Sequence, residues 1–331
     1  MSIIWTLAEI ESGEIKGISH ELITSARALA DASGGRKVGV LALGHEIGGL
    51  VDQLAAMGAD IVALADAPGL AQAPADVAAR VLAPFLQGQQ ASTVLLGHTA
   101  TGRDLAGRLA VRLGLGVIAD ATEVQVDGGK IVATRSIFGG GMWSRATSAG
   151  DGAVITIRPR AVTAGVLQSG RTAETLTMTV PDGATNRRVE TLELKQETGT
   201  SISLGDAEVV VSGGRGMGGA DKFGPVETLA RTLGAAVGAS RAVVDSGWRP
   251  HKEQIGQTGR TVSPKLYVAL GISGAIQHLV GMRTSGTIVA VNTDAEAPIM
   301  KVANVAAVGD VHEIVPALVA ELSRQGVGAG A

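Results

Sequence analysis

The sequence predicts an α/β protein of two domains, each a mainly parallel sheet flanked by helices. Three observations predict it. Short apolar runs alternate with helical patterns through residues 3–113, and the same alternation restarts near residue 207. A Gly-rich, then polar, stretch separates the two series. The length of 331 residues fits two medium domains, expected at 1–198 and 199–331.

The elements follow in order. Ile3–Ala8 reads as a strand, and Ser19–Ala32 as an amphipathic helix with Leu22, Ile23, Ala26 and Leu29 on one face. Strand Lys37–Leu43, helix Ile47–Met57, strand Ile61–Ala65, helix Pro74–Leu86, strand Ser92–Gly97 and helix Arg103–Leu113 continue the series. Strands joined through helices pair in parallel. Residues 116–162 break the rhythm. Val124–Val126, Lys130–Thr134 and Val154–Ile157 read as strands, the first two joined at Asp127-Gly128-Gly129. Residues 171–204 are polar, with turn signals at Asp182-Gly183 and Thr198-Gly199 and alternating Val189, Leu192 and Leu194; the domain boundary is expected near Gly199. In the second part Ala207–Val211 is a strand, Pro225–Leu233 a helix, Ala242–Val244 a short strand and Lys265–Leu270 a strand. Helix Gly274–Val280, strands Thr287–Val291 and Asn304–Val308, and helix Val311–Ser323 complete it.

Composition narrows the function. The chain is 45% hydrophobic but only 2% aromatic, so its apolar content is aliphatic and suits buried parallel strands. A formal net charge of −3 without a basic block gives no footprint for nucleic acid, and few aromatics leave no stacking surface for single strands. With no Cys the chain has no disulfide, thiolate metal site or Cys nucleophile. Met1 leads into a strand-like run without a basic n-region, and no apolar run is long enough to span a membrane, so a soluble cytoplasmic protein is expected. His20, His45, His98 and His312 are scattered without ligand spacing, and Trp5, Trp143 and Trp248 read as packing or interface residues.

Four strands of the second part run into polar or Gly-rich turns: Ser212-Gly213-Gly214-Arg215, Gly271-Ile272-Ser273-Gly274, Asn292-Thr293-Asp294 and Gly309-Asp310. An open parallel sheet binds ligands outside the carboxyl ends of its strands, so the fold would gather these turns along one edge. Ser273 and Gly274 are expected to open a helix and favour a phosphate. Gly213 and Gly214 would let the backbone approach a ligand, and Arg215 would neutralise a diphosphate. Asn292 and Asp310 offer hydrogen bonds to a sugar or an adenine edge, or serve as simple caps. Together the turns read as a dinucleotide cleft. There is no Gly-x-Gly-x-x-Gly fingerprint with a following ribose-binding acid, and no Walker motif. The loop Gln254-Ile255-Gly256-Gln257-Thr258-Gly259, flanked by Arg241, Arg249, His251 and Arg260, is either a solvated basic loop or a partner for a flavin, whose reduced forms carry negative charge.

Leu266-Tyr267-Val268-Ala269-Leu270-Gly271-Ile272-Ser273-Gly274-Ala275-Ile276-Gln277-His278, with Gly281 and Ile288-Val289-Ala290-Val291-Asn292, resembles the FAD signature of electron-transfer flavoprotein α subunits, the FixB-like family. Ser212-Gly213-Gly214-Arg215-Gly216, Val237-Gly238-Ala239-Ser240-Arg241, the Gly256–Gly259 loop and Glu296-Ala297-Pro298-Ile299 agree with it. The resemblance implies a Rossmann-like FAD-binding second domain and a first domain that docks a β subunit in a heterodimer. It assigns FAD to Arg215, Ser240, the loop Ile255, Gly256, Gln257 and Thr258, the run Ser273, Gly274, Ala275, Ile276, Gln277 and His278, and to Asn292 and Asp310. It further implies that Thr258 hydrogen-bonds flavin N5, that His278 approaches O2, and that Arg241 lies by the isoalloxazine. The family has Lys after the signature Asn; this chain has Thr293, so the matching charge contact to the adenosine moiety loses its donor.

The function so implied is an electron carrier, not a substrate-converting enzyme. It would run between flavin dehydrogenases, such as the acyl-CoA dehydrogenases of fatty acid oxidation, and a quinone oxidoreductase or other acceptor. Arg241 and His278 would stabilise the negative charge of reduced flavin electrostatically. Two alternatives stay open: the α subunit of an electron-bifurcating flavoprotein using NADH, and a flavin- or NADP-dependent oxidoreductase with a related domain.

Overall fold

The computed structural model describes residues 3–138, 140–150, 152–186, 203–205 and 207–327. The chain forms two compact units, Met1–Ile137 with Trp143–Gln196, and Phe138–Met142 with Glu197–Ala331. The expected boundary near Gly199, the Thr198-Gly199 turn and the alternating Val189, Leu192 and Leu194 lie outside the described residues.

In the first unit, β1 (Ile4–Leu7) leads through the small hairpin β2 (Ile10–Glu11) and β3 (Glu14–Ile15) into α1 (Gly17–Ala32). Then come β4 (Val38–Gly44), α2 (Val51–Ala56), β5 (Ile61–Asp66), α3 (Ala75–Gly88), β6 (Thr93–Gly97) and α4 (Ala100–Leu113). The rest is β7 (Gly116–Asp127), β8 (Lys130–Ile137), β9 (Met142–Thr147), β10 (Ala153–Ile157) and β11 (Glu174–Thr177). The sheet order is β11-β5-β4-β1-β6-β10-β7-β8-β9, parallel from β11 through β7. β7 and β8 pair antiparallel around the expected turn, with Asp127 opposite Lys130.

Helices on both faces explain why the central strands β1, β6 and β10 are buried at every position and mostly apolar. Trp5 and Leu7 face a core shared with α3 and α4, while Ile4 faces Leu22, Ile23 and Ala26 of α1. Trp5 packs edge-on against Phe85, centroids 5.3 Å apart, so it is a packing residue. The helix expected from Arg103 starts three residues earlier, because Thr99 caps it by accepting from Gly102 N at 3.0 Å. β9 and β11 escaped the sequence reading. Both lie at the ends of the sheet and are largely exposed, so they carry no apolar run.

Glu21 of α1 gives this unit a pH response. Its carboxylate accepts from Arg160 N at 2.6 Å, but burial dominates and pushes its pKa up to about 7. A raised folded pKa means that the associated stability is fully present below the ordinary carboxylate value of 4.5 and is lost as pH rises through about 7. Glu21→Gln should therefore flatten this dependence and exceed the wild type at pH 8 by about 1–2 kcal/mol, after discounting for partial exposure. Urea unfolding at pH 5 and pH 8 checks this; an unchanged pH slope would refute it.

The second unit contains β12 (Val209–Gly213), α5 (Gly224–Thr232), β13 (Ala236–Ser240), α6 (Arg241–Asp245) and β14 (Gln254–Ile255). β15 (Leu266–Leu270), α7 (Ile276–Leu279), β16 (Thr287–Asn292), α8 (Pro298–Val302), β17 (Val305–Val308) and α9 (Val311–Arg324) follow. Its six strands are all parallel, in the order β14-β13-β12-β15-β16-β17. One core lies under Tyr267, Met282 and Ile299, the other under Phe223, Leu229 and Val315. Trp248 packs on the second core, whereas Trp143 of the first unit is exposed.

Two expected elements are corrected here. Ala242–Val244 is not a strand but the middle of helix α6, in which Val243 is the buried residue. The strand lies just before it, in Ala236-Val237-Gly238-Ala239-Ser240, whose small residues have weak strand preference and are held extended by β12 and β14 on either side. The helix expected over Gly274–Val280 shrinks to the single turn Ile276–Leu279, because Gly274 has φ +81° and Ala275 is extended.

Candidate functional site

The parallel sheet brings all the suspected turns to one edge. β12, β15, β16 and β17 are successive neighbours, so the turns at residues 212–215, 271–274, 292–294 and 309–310 share their carboxyl side. β13 and β14 end on the same side and deliver Ser240-Arg241 and the loop after Ile255.

A cavity of about 360 Å³ opens there. It is lined by Ser240, Arg241, Ala242 and Asp245 after β13, by Ile255, Gly256, Gln257 and Thr258 after β14, and by Ile272, Ser273, Ala275, Gln277 and His278 after β15. The volume lies at the small end of the ~300–1,000 Å³ typical of cofactor pockets. Ala242, Asp245 and Ile272 were not foreseen. Arg241 Nε donates to Asp245 Oδ2 at 3.1 Å, an i,i+4 pair on α6 that reading the segment as a strand had hidden.

The loop is held from beneath. Gln254 is buried; its side chain donates to Thr258 Oγ1 at 3.0 Å and its carbonyl accepts from Arg260 N at 2.7 Å. Gln257 N donates to the Gln277 carbonyl at 2.7 Å, which ties the loop to α7. Thr258 Oγ1, acting as acceptor for Gln254, keeps its own proton for an acceptor elsewhere. Beneath α7, Tyr267 Oη and His278 Nε2 lie 2.9 Å apart, both side chains buried. Burial lowers the His278 pKa to about 4, outweighing the pull of the Ile255 backbone toward the protonated form, so the ring is neutral near pH 7. As a neutral ring His278 offers the cavity a hydrogen bond rather than a full charge.

Five expected residues lie outside the cavity lining. Arg215 is exposed on a single 3-10 turn after β12, and Ile276 is 71% exposed. Asn292 uses its amide to join two turns, donating to the Ile272 carbonyl after β15 at 2.8 Å and accepting from Asp294 N of its own turn at 3.0 Å. Asp310 caps α9 by accepting from His312 N at 2.8 Å. For Asp310 the cap reading accounts for the contact, whereas Asn292 ties its turn to the one after β15. Gly274 and its neighbour Ser273 do not open a helix; a Cβ on Gly274 would fall 2.3 Å from Ile299 N, so the glycine admits α8. Gly214 likewise admits the backbone of Gly271 and Ile272, since a Cβ on it would fall 2.2 Å from the Gly271 carbonyl oxygen, and Gly213 faces the Phe223 ring. At these glycines the space that a side chain would need is taken by the protein itself.

A parallel sheet with a cofactor-sized cavity at its carboxyl edge, in a chain with a second α/β unit, is the arrangement of the nucleotide-cofactor class of proteins. Family comparison agrees. Residues 4–194 match the electron transfer flavoprotein domain, and residues 203–283 match the electron transfer flavoprotein FAD-binding domain. The electron transfer flavoprotein subunit alpha of Thermoanaerobacterium thermosaccharolyticum is 38% identical over 97% of this chain and 98% of its own length. That of Mycobacterium tuberculosis is 43% identical over 96% and 97%, and the protein FixB of Clostridium saccharobutylicum 38% identical over 96% and 95%. The chain belongs to the electron transfer flavoprotein α-subunit family. Among the described residues no helix is long and apolar enough to cross a membrane.

Proposed function

We propose that this chain binds FAD at the carboxyl edge of its second unit and, paired with an electron-transfer flavoprotein β subunit, carries electrons between flavin dehydrogenases and an acceptor oxidoreductase. The observation that carries the reading is the cavity in which Ser240, Arg241, the Ile255–Thr258 loop, Ser273, Ala275, Gln277 and His278 converge. The donor set fits a flavin. It offers a guanidinium, a hydroxyl with a free proton, loop amides and a buried imidazole whose Nδ1 has no hydrogen-bond partner. FAD, when bound, supplies reversible one-electron redox chemistry. The protein's share is electrostatic: Arg241 raises the positive potential at the lip, Thr258 donates from the loop, and His278 orients the ring edge as a neutral donor. Arg215, Asn292 and Asp310, along the same edge, are proposed to flank the adenosine and diphosphate portion, with the Asn292 and Asp310 side chains acting through the turns they stabilise. Acyl-CoA dehydrogenases as donors and a quinone oxidoreductase as acceptor are part of the same proposal.

Co-expression with a β subunit, followed by flavin and adenylate analysis and a reductive titration, tests the reading. One FAD and one AMP per heterodimer is the expected result. Two FAD with oxidation of NADH would favour a bifurcating complex, and a colourless heterodimer would overturn the flavin assignment.

A further inference from the structure

We propose that Tyr267 is a positioning residue for the flavin site: its hydroxyl donates to His278 Nε2 and so holds the imidazole proton on Nδ1, as a donor for the group bound in the cavity. This inference rests on the flavin reading above. The two rings belong to different elements, Tyr267 to the middle of β15 and His278 to α7, and their polar atoms meet at 2.9 Å inside the unit. Tyr267 is fully buried, and its phenol pKa is raised by desolvation, so the hydroxyl keeps its proton.

A neutral imidazole carries one proton, on either nitrogen. The surroundings of the pair select between the two. If Nε2 held the proton, it would donate to Tyr267 Oη, and the phenolic proton would need another acceptor in a dry interior. The hydroxyl beside it is that of Ser212, fully buried and without a hydrogen bond of its own, which can turn its proton toward the phenol oxygen as readily as accept from it. Nδ1 breaks the tie. It has no hydrogen-bond partner among the described residues and belongs to a side chain that lines the cavity, so its partner is the bound group, whose acceptor edge calls for a proton on it. The relay consistent with that partner runs from Ser212 Oγ–H to Tyr267 Oη–H to His278 Nε2, with the proton on Nδ1.

Nδ1 is buried, has no hydrogen bond of normal geometry, and belongs to a side chain that lines the cavity. An orphaned buried N–H is costly, and an acceptor on a bound ligand relieves it. Tyr267 thus acts through His278. It has no place in the cavity lining; its ring packs in the core as an apolar residue would, and only its hydroxyl reaches His278.

Selective 15N-histidine NMR of the FAD-loaded heterodimer near pH 7 tests the assignment. The wild-type His278 ring should be protonated on Nδ1; a ring protonated on Nε2 overturns the proposal outright. Tyr267→Phe, which keeps the ring volume in the core, should shift the ring toward the Nε2-protonated form and raise the FAD Kd about tenfold, the size of one oriented hydrogen bond. In a His278→Gln background the same substitution should change the Kd less than twofold, because Tyr267 would have nothing left to orient. Equal losses in both backgrounds, or an unaltered tautomer in Tyr267→Phe, overturn it. If Tyr267→Phe does not fold, the wild-type spectrum alone decides. Absence of FAD from the wild-type heterodimer would refute the flavin reading instead, while the tautomer of the flavin-free protein still tests the relay.

Discussion

Gly256→Val is expected to reduce bound flavin at least tenfold. Gly256 sits at φ +141°, where a β-branched residue is strongly disfavoured. A Cβ there would lie 2.7 Å from the Gln277 carbonyl oxygen, the atom that accepts from Gln257 N. The crowding is mutual, since a Cβ on Gly281 would fall 2.4 Å from Gly256 N. Valine can be accommodated only if the loop lifts from α7, which breaks the Gln257–Gln277 bond and disperses Ile255–Thr258 from the cavity. Backbone strain of about 1–3 kcal/mol adds to the clash. Flavin absorbance per polypeptide measures the loss. The control is Gly107→Ala in α4, where a Cβ meets nothing within 4 Å; it should leave flavin unchanged and stabilise by about 0.5–1 kcal/mol. Full occupancy in Gly256→Val would mean that the loop does not hold the cofactor.

Arg241→Ala should lower the flavin midpoint potential by roughly 60 mV, and Asp245→Asn should raise it. Both side chains line the cavity and pair with each other, so each substitution leaves the opposite charge uncompensated beside the ligand. Without the guanidinium, the Asp245 carboxylate disfavours added negative charge on reduction; without the carboxylate, Arg241 favours it. The full Coulomb energy of a charge a few ångströms away is about 4 kcal/mol at an effective dielectric of 20. Arg241 is 62% exposed, which cuts this to about 1.4 kcal/mol, equal to about 59 mV for a one-electron couple. Redox titration at low and high salt provides the check, with both shifts shrinking as salt rises. Two variants moving in the same direction would exclude an electrostatic role for the pair.

The strands of the second unit were legible because buried parallel strands are short, apolar and punctuated. Val209–Gly213, Leu266–Leu270 and Thr287–Asn292 each end in a polar or glycine-bearing turn. Ala236–Ser240 was not legible, since its small residues become a strand only through pairing on both sides. That single misreading also concealed α6 and its Arg241–Asp245 pair.

By itself the sequence determined the alternation of strands and helices, the collection of the turns on one sheet edge, and the flavin signature within Leu266–Asn292. Periodicity and chain connectivity are local properties, and right-handed parallel crossovers leave little choice about where strand ends go. Tertiary structure decided what each polar or glycine residue does once there. It tied Asn292 to the neighbouring turn at Ile272, set Asp310 as the cap of α9, gave Gly214 and Gly274 to backbone packing, and joined Tyr267 to His278 across 2.9 Å. Such roles depend on which atom lies within hydrogen-bond or van der Waals reach, and that distance is set only when separate elements of the chain close on one another.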